Sequence, residues 1–538
     1  MSSLSRRKFV AGSATVGAAS LVAQPQEAAA GAAAGGAPRS GPAVVTKDDP
    51  RYPTLVWGSN QRWVGTPDAV HVVTSTAQVV ASVQEAVRTG KRVAVRSGGH
   101  CYENFVGDPA VRLVIDLSRL NAVYHDRQRG AFAVEPGATL GDAYRGLDKQ
   151  WGVTLPGSAC PTVGIGGHVV GGGVGQLSRW HGATVDHLYA VEVVVVDANG
   201  TARAVVATRD AGDPNRDLWW AHTGGGGGNF GVVTKYWFRS PGATRAQPAQ
   251  LLPKAPSEML VSTVAWGWPE LNETSFGRIM KNYGAFYERN SAPGTPYARM
   301  FAYLNLIHKA SGVCTMVTQI DARLPDAERL LDEYLAAVHE GVGTSLRVLD
   351  RRRLPWLHSA TQWPGYSAPD NTTRFKGKSA FHRKNFSDRH AATFYKHLTR
   401  DDYGHPGAIV QVMAHGGQIN TVPSPATALA HRDSILKLNY LNFWTDPAED
   451  AKHLGWMREF YRDVYAGTGG VPVPNDETDG CFINYADVDV ADPKWNTSQT
   501  PWSQLYYKDN YPKLQQVKAR WDPRDVFKHT LSVRPPGR

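Results

Sequence analysis

Cysteine is scarce in this chain, and its four copies, Cys101, Cys160, Cys314 and Cys481, form no CxxC pair. That spacing excludes a zinc ribbon and a disulfide scaffold. No run of about 18 apolar residues is present that would cross a bilayer. No like-charge block, Gln-rich tract or heptad pattern points to disorder or a coiled coil. The 58 basic side chains outnumber the 48 acidic ones, a net charge of +10, but the surplus is spread along 538 residues. Without a basic stripe, it argues for solubility and against nucleic-acid binding. Several catalytic signatures are also missing. There is no Gly-x-Gly-x-x-Gly in a βαβ unit with an acidic residue about 20 positions on, which excludes a nicotinamide Rossmann domain. Absence of Gly-x-x-x-x-Gly-Lys-Ser/Thr, His-Glu-x-x-His and Gly-x-Ser-x-Gly removes phosphate-loop, zinc-helix and serine-elbow chemistry, and no metal site is expected. No internal repeat of solenoid period occurs.

The chain opens on Ser5-Arg6-Arg7-Lys8-Phe9, a Gly/Ala/Ser-rich apolar run to Ala23, and the small-residue stretch after Glu27. This pattern is that of a twin-arginine export signal. The expectation is a mature protein outside the cytoplasmic membrane, beginning between residues 30 and 40, with the twin-arginine machinery as a transient partner. That route carries folded proteins and suits a chain that captures a cofactor before it leaves.

From Ala69 onward strands and helices alternate. Val70 to Val73 reads as a strand, and Ser75 as the cap of a helix with Val79, Val80, Val83 and Val87 on one face. Arg92–Arg96, Val114–Leu117 and Phe132–Glu135 read as strands, and 139–150 as a helix. The β-branched run 190–197 turns at Ala-Asn-Gly and returns at Ala204, and 230–238 is a closing strand. After Pro241 the pattern changes to Pro-rich loops, helices near 275–289 and 325–340, and strands near 408–413 and 438–444. The fold class is α+β, divided into a signal and linker (1–38), a first domain (39–242), a middle domain (243–471) and a C-terminal segment (472–538) that ends in a helix over 511–521.

Three glycine-rich elements dominate the first half. Arg96-Ser97-Gly98-Gly99-His100 follows a strand, where consecutive N–H groups can form an anion nest. The stretch Gly157 to Gly175 holds eight glycines, and so many missing side chains imply a large ligand against the backbone. The third, Thr223 to Gly231, is followed at once by a strand.

Together with Cys160-x-x-Val163-Gly164-x-Gly166-Gly167-His168, Asn229-Phe-Gly231-Val232-Val-Thr, Asn484-Tyr485 and Tyr506-Tyr507-x-x-Asn510, these elements resemble the berberine-bridge-enzyme-like flavin oxidases over residues 45–537. Within that family the segments 217–224 and 470–476 are similar to the hexose oxidases of glycopeptide-antibiotic biosynthesis. The resemblance implies a two-domain FAD-binding fold of the vanillyl-alcohol-oxidase (PCMH) type, with a substrate domain on an antiparallel sheet. It implies FAD joined to His100 at the 8α carbon and to Cys160 at carbon 6. Arg96, Ser97, Gly98, Gly99, Val163, Gly164, Gly166, Gly167, His168, Gly172, Asn229, Gly231, Val232, Asn484, Tyr507 and Asn510 would surround that cofactor. Cys101 would be structural. Tyr485 would be the acid/base, and a phenol with an ordinary value of about 10 needs nearby positive charge or hydrogen-bond donors to serve as a base. Val174 stands where relatives often place a tyrosine, so a second phenol is absent there.

In the middle domain, His415, Gln418 and Asn420 are candidates for substrate contact, with Gln418 and Asn420 expected on one strand face, as sugar ligands or as solvated polar positions. Lys376 and Lys378 are read as structural, and most of the 16 tryptophans as core. The implied reaction is oxidation of an alcohol on a sugar or glycosylated secondary metabolite, with dioxygen reoxidising the flavin to release hydrogen peroxide. Three rival readings stay open: a flavin dehydrogenase, an oxidative cyclase on an antibiotic scaffold, and a non-catalytic flavin- or sugar-binding protein. Oligomeric state is left open.

Overall fold

The computed structural model describes residues 41–243, 247–362 and 371–537; the export segment lies outside the described residues. Strands β1 (Ala43–Thr46), β2 (Ala69–Val72), β3 (Val93–Arg96) and β4 (Leu113–Asp116) form a sheet in the order β1-β2-β4-β3. The helix Thr76–Thr89 begins where Ser75 accepts from the Gln78 N–H and stops at Gly90, whose φ of 65° is open to glycine. It buries Val79, Val83 and Ala86 and forms the crossover that makes β2, β4 and β3 parallel.

Strands β5 (Val123–Asp126), β6 (Ala131–Val134), β7 (Leu188–Val196), β8 (Ala202–Thr208) and β9 (Val232–Phe238) build an antiparallel sheet ordered β5-β6-β9-β7-β8. The Ala-Asn-Gly turn joins β7 to β8 as expected. A third, antiparallel sheet takes all its strands from the middle of the chain. These are β10 (Glu258–Gly267), β11 (Met300–Ile307), β12 (Val313–Asp321), β13 (Arg347–Pro355), β14 (Arg374–His382), β15 (Ala408–Ala414) and β16 (Leu436–Trp444), in the order β13-β10-β12-β11-β15-β16-β14.

The C-terminal segment returns to the first two sheets. Phe527 packs in the cluster that holds Val93 and Ile115, and Lys518 Nζ donates to the Asn229 carbonyl at 2.8 Å and to Asp522 at 2.6 Å. Before it does so, the segment crosses a buried ion cluster that joins all three parts of the chain. Lys376 Nζ meets Glu103 at 2.5 Å and Asp487 at 2.6 Å, and Lys378 Nζ meets Asp487 at 2.6 Å and Asp489 at 2.8 Å. Arg458 closes the set on Asp489 at 2.8 Å. The two lysines and three carboxylates are each at most 3% exposed. Burial alone would lower the Lys376 ammonium, but Asp487 and Glu103 push it above its usual value. The structural reading of both lysines therefore acquires a physical content.

Removing one partner from such a cluster leaves carboxylates uncompensated in the interior, at a cost of about 3–5 kcal/mol. Lys378→Met is expected to lower stability by that amount in denaturant unfolding monitored by tryptophan fluorescence. A loss below about 1 kcal/mol would show that the cluster contributes only shape.

Candidate active site

The end of β3 and the segment from Gly157 to Gly175 meet backbone to backbone. A Cβ on Gly98 would strike the Gly164 backbone, and one on Gly164 would strike Ser97 and Gly98. Likewise, Gly175 abuts the Gly157 carbonyl, Gly171 abuts the Asn484 amide, and Gly172 faces Leu429. The sequence expectation that these glycines bare the backbone for a large ligand is thus corrected: most of them let protein backbone approach protein. Gly167 is the exception in this stretch, with open space beside its Cα.

These turns wall a cavity of about 800 Å³. The strand-end loop from Arg96 through Ser97, Gly98 and Gly99 to His100 forms one side. Cys160, Val163, Gly164, Gly166, Gly167 and His168 form a second, while Asn229, Gly231 and Val232 line it from the third glycine element. Asn484 and Tyr485 reach it from the C-terminal segment. Among the described residues, the backbone N–H groups of Gly98, Gly99 and His100 make no hydrogen bond, so they remain available to an anion.

Other predicted residues lie behind this wall. Tyr507 is fully buried and donates to the Gly225 carbonyl at 3.0 Å. Asn510 donates to the carbonyls of Ser424 and Thr427 at 3.0 and 3.1 Å. Both brace the loops around the third glycine element rather than lining the cavity, and Gly172 is also set back from it. Asn229 spends its side chain on the Gly225 and Gly226 carbonyls and the Val533 N–H. Arg96 is tied to the carbonyls of Leu55 and Trp57, and Ser97 to that of Pro136 at 2.6 Å.

The middle-domain expectations require correction. β15 ends at Ala414, and Gly417–Thr421 is a 3₁₀ turn, so Gln418 and Asn420 do not alternate along a strand. Gln418 is exposed, Asn420 donates to the Ser434 carbonyl at 2.9 Å, and His415 is buried beside Phe381. None of the three lines the cavity. The strands supply Tyr303, Ile409, Gln411 and Asn439 instead. Val174 lines the wall.

His100 and Cys160 are brought together through Thr162, whose Oγ1 is 3.0 Å from His100 Nε2 and 3.5 Å from Cys160 Sγ. Burial, then the Arg96 guanidinium, lowers the His100 imidazole to about 4, so the ring is neutral and nucleophilic at physiological pH. The neighbouring Cys101 thiol is pushed up to about 11 by burial and is inert by comparison. His168 is lowered to about 3, chiefly by burial, and its carbonyl accepts from Asn484 Nδ2 at 2.9 Å.

Tyr485 sits on a 3₁₀ turn, stacked on Tyr102 with ring centroids 5.2 Å apart and edge-on to Phe482 at 5.2 Å. Burial, with Tyr102 and Tyr303 nearby, raises its phenol well above the ordinary value. Lys437 of β16, missed in the sequence, places its Nζ 3.5 Å from Tyr485 Oη and 4.8 Å from the ring centre. Burial lowers that amine to about 7. Asn439, two residues on, donates to Tyr102 Oη at 3.2 Å and leaves its own buried Oδ1 without a protein partner. The signal was present in Leu436-Lys-Leu-Asn-Tyr, where two polar residues of one parity interrupt a buried strand.

A profile of an FAD binding domain matches residues 67–205, and one described as berberine and berberine like matches 481–534. An aclacinomycin-N/aclacinomycin-A oxidase of Streptomyces galilaeus is 53% identical across 100% of this chain and 99% of its own. A hexose oxidase of Chondrus crispus is 32% identical across 90% of this chain and 94% of its own. A crystal structure of a glycopeptide hexose oxidase complexed with teicoplanin superposes with a TM-score of 0.89 at 50% identity, covering 93% of this chain and 100% of that one. The chain belongs to the berberine-bridge-enzyme-like FAD-linked oxidases. It is an FAD-dependent oxidoreductase with the PCMH-type α+β fold.

The residues present fit that cofactor, since two nucleophiles, the unpaired N–H groups of the His100 loop and the open side of Gly167 share one cavity. If His100 and Cys160 both carry the flavin, acid-denatured protein will keep its yellow colour in each of His100→Ala and Cys160→Ala and lose it in the double variant. Free release of flavin from the wild type would exclude attachment at either residue.

Proposed function

We propose that this oxidoreductase is exported and oxidises an alcohol of a sugar or of a glycosylated secondary metabolite, with dioxygen as electron acceptor and hydrogen peroxide as product. The observation that carries this reading is the Tyr485–Lys437 pair at the cavity that His100 and Cys160 also line. The similar proteins named for hexose, glycopeptide and aclacinomycin support the substrate class. The twin-arginine pattern at Arg6 and Arg7 supports export.

Bound FAD supplies a hydride acceptor at its N5 atom and, on reoxidation by dioxygen, hydrogen peroxide. The chain supplies the proton path and the orientation. A phenol raised by burial is a poor base alone, but an amine near 7 in contact with it can take its proton. As Tyr485 Oη accepts the substrate hydroxyl proton, its own proton passes to Lys437 Nζ. Stacking on Tyr102 fixes the plane of the Tyr485 ring. Asn439 Oδ1, the buried acceptor without a protein partner, and Gln411 offer polar contacts to substrate hydroxyls.

The test is oxygen uptake and peroxide release with a panel of hexoses and glycosylated metabolites. Stoichiometric peroxide supports the oxidase; turnover that needs an added acceptor and consumes no oxygen establishes the dehydrogenase reading instead. Replacement of Arg6 and Arg7 by lysine should retain the protein in the cytoplasm if the export reading holds.

The pH dependence has a definite sign. Below about pH 7 Lys437 is an ammonium and cannot receive the phenol's proton; above it the pair has one vacancy. Therefore kcat/KM should rise with pH through about 7 and level off. Tyr485→Phe and Lys437→Met should each lower kcat by about 10²–10⁴ with covalent flavin retained. A loss below tenfold in Tyr485→Phe would remove the phenol from the proton path.

A further inference from the structure

We propose that the Thr162 hydroxyl positions both nucleophiles for covalent attachment of FAD, one hydroxyl serving two bonds. The inference rests on the reading that His100 and Cys160 carry the flavin. His100 comes from the loop after β3 and Cys160 from the segment after Gly157, so nothing in the local chain sets their mutual geometry. Thr162 does, with Oγ1 at 3.0 Å from His100 Nε2 and 3.5 Å from Cys160 Sγ. Among the described residues, the His100 ring makes this hydrogen bond and no other.

Thr162 is well placed to act as a fixed point. The carbonyls on either side of it, those of Pro161 and Val163, accept from Gly141 N at 2.8 Å and Leu140 N at 2.9 Å, at the start of the helix Leu140–Trp151. Gly164 is locked against Gly98, so the two turns cannot slide past each other. The side chain is β-branched and has few rotamers.

A hydroxyl has one proton to donate and lone pairs to accept with. The neutral His100 ring donates Nε2–H to Oγ1, and Oγ1–H donates to Cys160 Sγ. The first bond leaves the imidazole lone pair at Nδ1; the second stabilises negative charge on sulfur. At His100 an Nδ1–C bond forms at the 8α methyl carbon and one methyl C–H bond breaks. The methyl proton and the Nε2 proton leave, and the two electrons pass by way of the ring to dioxygen, giving hydrogen peroxide. At Cys160 an S–C bond forms at carbon 6, the thiol proton and the carbon-6 proton leave, and a second dioxygen takes the two electrons.

Thr162→Val keeps the shape and removes the hydroxyl; Thr162→Ser keeps the hydroxyl. Each holoenzyme is acid-denatured and digested, and the flavin-bearing His100 and Cys160 peptides are quantified by mass spectrometry. The expected result is that Thr162→Val forms both linkages about tenfold more slowly after induction, the worth of about one side-chain hydrogen bond, while Thr162→Ser restores them. Wild-type loading in Thr162→Val overturns the role of Thr162 alone. Failure of Thr162→Ser to restore the linkages assigns the effect to the methyl group and overturns it as well. Absence of flavin from the wild-type peptides overturns the attachment reading first and this inference with it.

Discussion

The position of the Tyr485 turn depends on the buried ion cluster around Lys376 and Lys378. Taking a carboxylate out of water costs several kcal/mol unless a partner meets it, so Glu103, Asp487 and Asp489 can be interior only in the register that gives each a lysine. Glu103 lies three residues after His100, and Asp487 two after Tyr485. Lys376 touches both carboxylates. A slip of one residue in β14 would turn both lysines away and strand the carboxylates. The spacing between the His100 loop and Tyr485, which are 385 positions apart by subtraction, is thereby set by electrostatics rather than by chain connectivity.

Much of the framework was legible because it is local. The valine stripe after Ser75 and the β-branched run before Ala-Asn-Gly each answer to a periodicity that a single segment contains. So does the terminal helix Tyr511–Trp521, found within its expected bounds. The third sheet was only partly legible, since β10, β11 and β12 are buried almost throughout and carry no clean alternation. The site divides in the same way. Motif residues that flank a turn, such as His100 and Cys160, could be named from the chain, whereas Lys437 owes its depressed amine to burial created by other segments.

The glycines show where composition misleads. Counting them in 157–175 pointed to a ligand, yet Gly164, Gly171 and Gly175 mostly answer to neighbouring protein atoms. Close backbone approach is one demand with two sources, and a linear sequence does not distinguish them. Gln418 and Asn420 failed differently: alternation was carried past Ala414, where the strand stops and Gly416, with φ at 84°, turns the chain.

The phenols that surround Tyr485 come from other parts of the chain. Tyr102 comes from the His100 loop and Tyr303 from β11, and both raise the Tyr485 phenol further rather than lowering it. A phenol so placed holds its proton, which keeps an anion out of a low-dielectric site. In the proposed proton path its basicity is borrowed from Lys437, itself lowered to about 7 by the same burial. Desolvation that weakens each group alone thus brings the amine to the pH at which it can accept a proton.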